Sequence, residues 1–258
     1  MGEIFAVTSL KGGVGKTVFS AGLAFAFAQA GRRVLAVDLD LGTGGLDIAL
    51  GRENMICATF PDLLLGNVPF DRAFVFGEDG IAFLSAPAFF NERDLEGVRQ
   101  ETVNRLLEAF KQEFDVVLFD MPAGGGAAFR FLEDSGLVDR TFLVTTSAPT
   151  AVRAAERCAA RLREPEKCGL ILNCYRLTKP EDNSFRILEV IRRTSVPIRG
   201  VIPFDALSEK ALMRGIPLTG FSKSLAGKAI SNIARRLGGE SVPLLEGVMK
   251  KNKRERFY

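Results

Sequence analysis

Ser9-Leu10-Lys11-Gly12-Gly13-Val14-Gly15-Lys16-Thr17 decides the fold of this chain. The apolar run from Ile4 to Thr8 reads as a strand, and the residues from Lys16 onward read as a helix. Between them, three glycines let the backbone curl so that successive N–H groups face one point. Lys16 brings a positive charge to that point, and the Thr17 hydroxyl is placed to ligate magnesium. The helix opening there adds the positive end of its dipole. The usual pattern G-x-x-x-x-G-K-[ST] is not met, because Leu10 stands where its first glycine belongs. A second lysine, Lys11, precedes two glycines instead. Two lysines flanking G-G-V-G after a buried strand have little purpose without an anion, so this is a nucleotide site.

Outward from the loop, apolar runs alternate with helix-period segments. Strands are expected near 4–8, 33–38, 81–85, 115–120, 140–145, 168–173 and 198–202. Helices are expected near 16–30, 93–112, 127–135, 150–163, 183–194, 205–213 and 222–238. Most strand runs are continuously apolar, as in a parallel sheet covered on both faces. The fold class is therefore α/β: one P-loop domain with a mostly parallel sheet of seven or eight strands. Asp38, Asp40, Asp120 and Asn173 fall at strand C-termini, the edge where open α/β sheets bind ligands. Four apolar residues closing on Asp120 look like a magnesium-holding Walker B strand. Asp38 and Asp40 lie two apart, a spacing that would send both carboxylates to one side of an extended chain. The Phe-rich stretch 58–90 reads as core.

Composition excludes several chemistries. With 47% hydrophobic and 25% charged residues, this is an ordinary soluble composition, and no apolar run reaches the length of a membrane span. Met1-Gly2-Glu3 leads directly into a strand, which argues against a signal peptide. Cys57, Cys158, Cys168 and Cys174 are scattered without a C-x-x-C pair and read as small apolar residues, not metal ligands. The chain has no histidine, so proton handling falls to carboxylates, lysines or backbone, as phosphoryl transfer allows. Five cations and two anions between Leu244 and Tyr258 carry the whole net charge of +3. The body is neutral, which disfavours a specific nucleic-acid partner.

K-G-G-V-G-K-T resembles the deviant Walker A loop of the MinD/ParA family of ATPases, whose extra lysine is the family's mark. The likeness continues through Val37-Asp38-Leu39-Asp40, Gly45-Leu46-Asp47, Val117 to Gly124, Leu143-Val144-Thr145-Thr146 and Leu172-Asn173-Cys174-Tyr175. Gly200-Val201-Ile202-Pro203 and Ala234 to Pro243 extend it, and these last two look more like the MinD branch than the ParA branch. The resemblance implies ATP and ADP held by Lys11, Gly12, Gly13, Val14, Gly15, Lys16, Thr17 and Val18. It implies magnesium at Thr17, Asp38 and Asp120, with Asp40 positioning the attacking water. Asn173 is the implied adenine reader, and Pro203 and Asp205 belong to the loop beside the base. Lys11 is implied to reach across an ATP-driven homodimer and join Lys16 and Asp40 in catalysis. Gly42 to Gly45 reads as a switch loop.

The function so implied is a MinD-like ATPase, cytoplasmic and peripheral on the inner membrane face, that positions a division or polar apparatus with protein partners. Residues 1–243 form its ATPase domain. Residues 244–258 form a basic tail in which Leu244, Leu245, Val248 and Met249 make a short apolar face for anionic lipid, followed by Lys250, Lys251, Lys253, Arg254 and Arg256. Arg153, Arg157 and Arg161 share one helix face and read as solvated. MinD-type proteins carry acidic residues where this chain has Ala148 and Ala154, a departure that bears on which partners it takes. A ParA-like partition ATPase, a flagellar-placement relative and a metabolic P-loop enzyme are the alternatives. The first would need a basic patch on the body, the second extra partner-binding segments and the third a substrate pocket.

Overall fold

A strand whose every residue is apolar can be buried only if both of its faces are covered, and the architecture supplies both covers. The computed structural model describes residues 1–40, 44–55, 58–87, 97–124, 126–177 and 185–249. Gly42 and Thr43 of the expected switch loop, Cys57, the first residues of the helices expected from 93 and 183, and the basic cluster from Lys250 lie outside the described residues.

In chain order the elements are β1 (Glu3–Ser9), α1 (Lys16–Gln29), β2 (Val34–Asp38), α2 (Leu46–Ala49), α3 (Phe60–Leu65), β3 (Val75–Phe76), β4 (Ala82–Leu84), α4 (Gln100–Glu113) and β5 (Val116–Ala123). There follow α5 (Gly126–Ser135), β6 (Arg140–Thr145), α6 (Pro149–Ala159), β7 (Cys168–Tyr175), α7 (Ile187–Thr194), β8 (Ile198–Pro203), α8 (Leu207–Arg214) and α9 (Leu225–Leu237). They build one eight-stranded sheet in the order β3-β4-β2-β5-β1-β6-β7-β8. All pairings are parallel except β3 with β4.

Period-two geometry splits β1 between two cores. Phe5 and Val7 pack with α1 and α9 on one face. Ile4 and Ala6 pack on the other with Val103, Leu107 and Phe110 of α4. A third cluster joins Leu143, Leu170 and Leu172 of β6 and β7 to Val152 of α6 and Val190 of α7. Much of the Phe-rich stretch is core, as expected: Phe60 meets Phe110 and Phe119, and Phe74 meets Phe110 and Phe114, several of them edge to face. Phe76 on the edge strand and Leu65 lie exposed. The cysteines at 158 and 168 are buried small residues, and burial pushes their thiols up to about 11 and about 12.

The differences from expectation sit at element ends and short elements. α2, α3 and β3 are too short to show a period. α3 nevertheless carries a capping box, with the Thr59 hydroxyl accepting from Asp62 N and the Asp62 carboxylate accepting from Thr59 N. α4 starts at Gln100, because residues 97–99 are not helical. α6 ends at Ala159, so Arg161 lies beyond the helix face shared by the exposed Arg153 and Arg157. Arg52 is fully buried, pairs with Asp79 at 2.6 Å and donates to the carbonyls of Leu50 and Ile81, tying the chain after α2 to the β3–β4 edge.

The expected domain boundary at 243 requires correction. Leu245 is 1% exposed and Val248 7%, packed into the cores of the body, with Leu244 and Met249 partly buried beside them. Residues 244–248 form turns, not a helix, and the Asn232 side chain donates to the Glu246 carbonyl at 2.7 Å. The apolar side chains expected to face lipid therefore face protein. Among the described residues no helix is long and apolar enough to cross a membrane.

Candidate functional site

Parallel pairing brings the predicted residues to one sheet edge. β5 lies between β1 and β2, so the loop leaving β1 emerges beside Asp120, and register sets Asp38 opposite Asp120. In the loop, Gly13 and Gly15 take positive φ values of 72° and 89°, a region that side chains resist. At Gly15 a Cβ would also come 2.2 Å from Asn173 Nδ2. Glycine there is thus required twice, by conformation and by close approach.

The start of α1 is electrically open. Its N-cap, Gly15, offers no side-chain oxygen, and its first turn holds no acid. The first N–H groups of a helix have no intrahelical acceptor, so this end presents donors and a positive dipole. Lys16, only 7% exposed, adds its charge. These features suit a phosphate. Val18 is half-buried against the core, so any nucleotide contact from it falls to its backbone.

The opposing acids are buried. Asp38 and Asp120 are each 1% exposed. Burial first, and then the Asp120 charge, push the Asp38 carboxyl up to about 7, although it accepts from Asp40 N and Leu46 N at 2.9 and 3.1 Å. Burial likewise pushes Asp120 up to about 6, against the lowering effect of Thr17, Ser20 and Lys16. Thr17 Oγ1 donates to Asp120 Oδ2 at 2.7 Å and Ser20 Oγ to Oδ1 at 2.8 Å. Two buried carboxylates that resist ionising, with a hydroxyl beside them, form a donor set that a divalent cation would relieve. Among the described residues no trio of acidic, thiol or imidazole groups cages a metal alone. Magnesium suits such a site, since it keeps water and phosphate among its ligands.

Asp40 lies two residues further on. β2 ends at Asp38, whose carboxylate accepts the Asp40 N–H, so the chain bends before alternation reaches Asp40. Asp38 is buried and Asp40 half-buried, and the Asp40 charge acts on both Asp38 and Asp120, raising each carboxyl. Gly44 N donates to the Asp40 carbonyl at 2.9 Å, and Leu46 N reaches Asp38, so the two described ends of the expected switch loop meet the site.

Asn173 is buried and donates from Nδ2 to the Val14 carbonyl at 2.8 Å, bracing the loop from β7. Pro203 ends β8 opposite Tyr175. Asp205 follows it, but its carboxylate is occupied: Oδ1 accepts from Leu207 N, and Oδ2 from Ser224 Oγ and Ala226 N. Burial would raise this carboxyl, and the donors of Leu207, Ser224, Ala226 and Leu225 outweigh it and leave it lowered. The Asp205 side chain is a structural clasp between α8 and α9, so only its backbone is left to sit beside a base.

Lys11 is half-buried and donates from Nζ to Thr150 Oγ1 at 2.7 Å, in the first turn of α6 of its own subunit. Two partners were not foreseen. Ser20 sits one helical turn after Thr17, a spacing visible in the sequence. Thr150 gave no signal, because a chain-distant hydroxyl partner leaves no local pattern.

Known proteins share this fold. Residues 5–218 match the family model described as the CobQ/CobB/MinD/ParA nucleotide binding domain. The septum site-determining protein MinD of Bacillus subtilis is 36% identical over 251 residues, covering 95% of this chain and 92% of that protein. Among solved structures, the MinC:MinD cell division complex of Aquifex aeolicus matches with a TM-score of 0.82 and 30% identity, covering 94% of this chain and 98% of that one. The cell division ATPase MinD of Pyrococcus furiosus matches with a TM-score of 0.77 and 26% identity, covering 93% and 99%.

Proposed function

This chain belongs to the CobQ/CobB/MinD/ParA nucleotide-binding family, and on that premise we propose that it is a MinD-type, magnesium-dependent ATPase. It acts as an ATP-switched homodimer that places a cell-division apparatus at the membrane. What supports this most directly is the meeting, at one sheet edge, of an uncapped helix N-terminus with two buried carboxylates raised in pKa.

In this proposal the amides from Gly12 to Val18 and the Lys16 ammonium bind the phosphates, where their charge is most effective in a water-poor setting. Thr17 and Asp120 hold magnesium, with Asp38 organising its surroundings. Bound magnesium supplies neutralisation of phosphate charge. Asp40 orients the attacking water. Asn173 orients the base while keeping the loop braced. Lys11 leaves Thr150 and completes the partner subunit's site, stabilising charge in the transition state as an arginine finger does. Switch and dimer are thereby linked through one lysine. Division proteins such as the MinC bound by the Aquifex relative are the class of protein partner. Contact with anionic lipid rests on the cluster from Lys250 to Arg256, because Leu245 and Val248 are spent in the core.

The test is the mass in solution of Asp40→Ala, which should retain ATP. With Mg·ATP it should scatter light as a dimer of the 28.1 kDa chain and with Mg·ADP as a monomer. Turnover of the unaltered chain should rise with phosphatidylglycerol vesicles and not with DNA. A monomer under ATP, or stimulation by DNA alone, would contradict the proposal.

A further inference from the structure

The sheet edge opposite the nucleotide site carries a cavity of about 340 Å³, in the size range of small-molecule sites. Arg140 opens β6, Arg199 lies at the start of β8 and Arg236 stands in the last turn of α9; all three line it. Its floor is apolar, from Ile198, Ile233, Leu237 and Leu244. No acid lines it. Three guanidinium groups around one apolar hollow repel each other unless something negative joins them.

The three arginines differ in what holds them. Arg236 has structural work: it donates to the carbonyls of Arg199, Val242 and Pro243, pinning the segment that places Leu244 in the wall. Arg140 and Arg199 make no side-chain hydrogen bond or ion pair with the described residues. The acids nearest in sequence are engaged elsewhere. Asp139 takes Lys111 and the Ile4 N–H, both at 2.7 Å, and Glu240 takes Arg235 at 2.7 Å.

Backbone geometry also makes room for this cluster. Gly169 of β7 pairs with Phe142, which faces α1 and α9, and Arg140 shares that face two residues earlier. The Arg199 stem crosses directly over Gly169, where a Cβ would come 2.4 Å from Arg199 Cγ. Glycine lets Arg199 lie along the sheet toward Arg140, over the apolar floor.

We propose that this cavity binds an anionic amphiphile, its phosphate or carboxylate head held by Arg140 and Arg199 and its alkyl tail laid on Ile233, Leu237 and Leu244. Planar guanidinium forks suit such a head, and a charged head alone would leave the floor wet. The site stands at the edge opposite the P-loop and does not depend on the nucleotide reading. A lipid head group and a free alkyl phosphate or fatty acid share this chemistry.

The test is calorimetric titration of the full chain with decyl phosphate below its micellar concentration, with excess Mg·ADP present. One site per chain is expected. R140Q/R199Q should weaken it about 10-fold or more, and inorganic phosphate and decanol should each bind about 10-fold or more weakly than decyl phosphate. G169A, which displaces Arg199, should weaken it by about threefold with the melting temperature recorded alongside, and R199K should fall between wild type and R199Q. Affinity unchanged in R140Q/R199Q, or inorganic phosphate binding as tightly as decyl phosphate, would overturn the proposal, as would tighter binding of a polyglutamate peptide. Sedimentation with phosphatidylglycerol vesicles separates the sources. A loss in R140Q/R199Q assigns the head to a membrane lipid, unchanged sedimentation assigns a free amphiphile, and the site stands in both cases.

Discussion

At the α8–α9 corner, Asp205 follows β8 and accepts from two backbone N–H groups and the Ser224 hydroxyl, while Ser224 caps α9 through Gly227 N. At the other corner, Asp120 of β5 accepts from the Thr17 and Ser20 hydroxyls, faces Asp38 across the sheet, and stands beside a helix with no side-chain cap. The first acid has its carboxyl lowered, the second pair raised. Both corners use the same parts: a strand end, an aspartate and a helix N-terminus. In one the charges are matched within the chain. In the other, positive amides and buried carboxylates remain apart, and the donors and the Lys16 charge do not outweigh the burial of Asp120. A matched corner needs no ligand; the unmatched corner is the one proposed above to take a phosphate and its cation.

The sharpest way to break this contrast is to remove charge from the open corner. Lys16→Ala should lower ATP turnover by about 10³-fold, and Lys11→Ala by a similar factor. They should differ in binding, with Mg·ADP affinity lost in the first and largely kept in the second, because Lys11 sits on Thr150 in its own subunit. Equal loss of ADP affinity in both would place Lys11 in its own subunit's site.

Swapping the acids gives a smaller effect of opposite sign. Asp205→Ala should cost about 2 kcal/mol in urea denaturation, since it strands donors at two helix starts. Asp38→Asn should stabilise the nucleotide-free and metal-free protein at neutral pH, since it removes one of two facing buried charges. If both destabilised alike, the corners would not differ in kind.

The pH dependence sharpens the same point. Asp38 and Asp120 titrate near 7 and near 6 in the folded protein, against 3.8 for a free aspartate. Between those limits the folded state holds more protons than the unfolded state, so their contribution to stability is full at low pH and is lost as pH rises toward 7. Melting temperature without nucleotide should fall over that window, and Asp38→Asn should flatten the fall. Asp205, lowered in the fold, contributes in the reverse sense and loses its part only on acidification.

Much of this was legible in the sequence where a local pattern carries the physics. The K-G-G-V-G-K-T loop, the apolar run ending at Asp120 and the alternation of strands and helices each announce themselves within a few residues. What was hidden depends on partners far along the chain. Nothing near Asp205 reveals Ser224, and nothing near Lys11 reveals Thr150. Leu245 and Val248 show why apolar residues in a tail are ambiguous: spacing identifies a greasy face but not whether lipid or protein covers it. Arg52 gives the converse lesson, a cation that lies buried on Asp79 with no local pattern to show it.

Isothermal titration of the folded, metal-free chain with Mg·ATP and Mg·ADP tests the unmatched corner most directly. One nucleotide should bind per chain with clear heat, and the binding should vanish in Lys16→Ala. A flat titration with both nucleotides, on protein whose melting is cooperative, would mean that the open amides and buried carboxylates serve some other purpose.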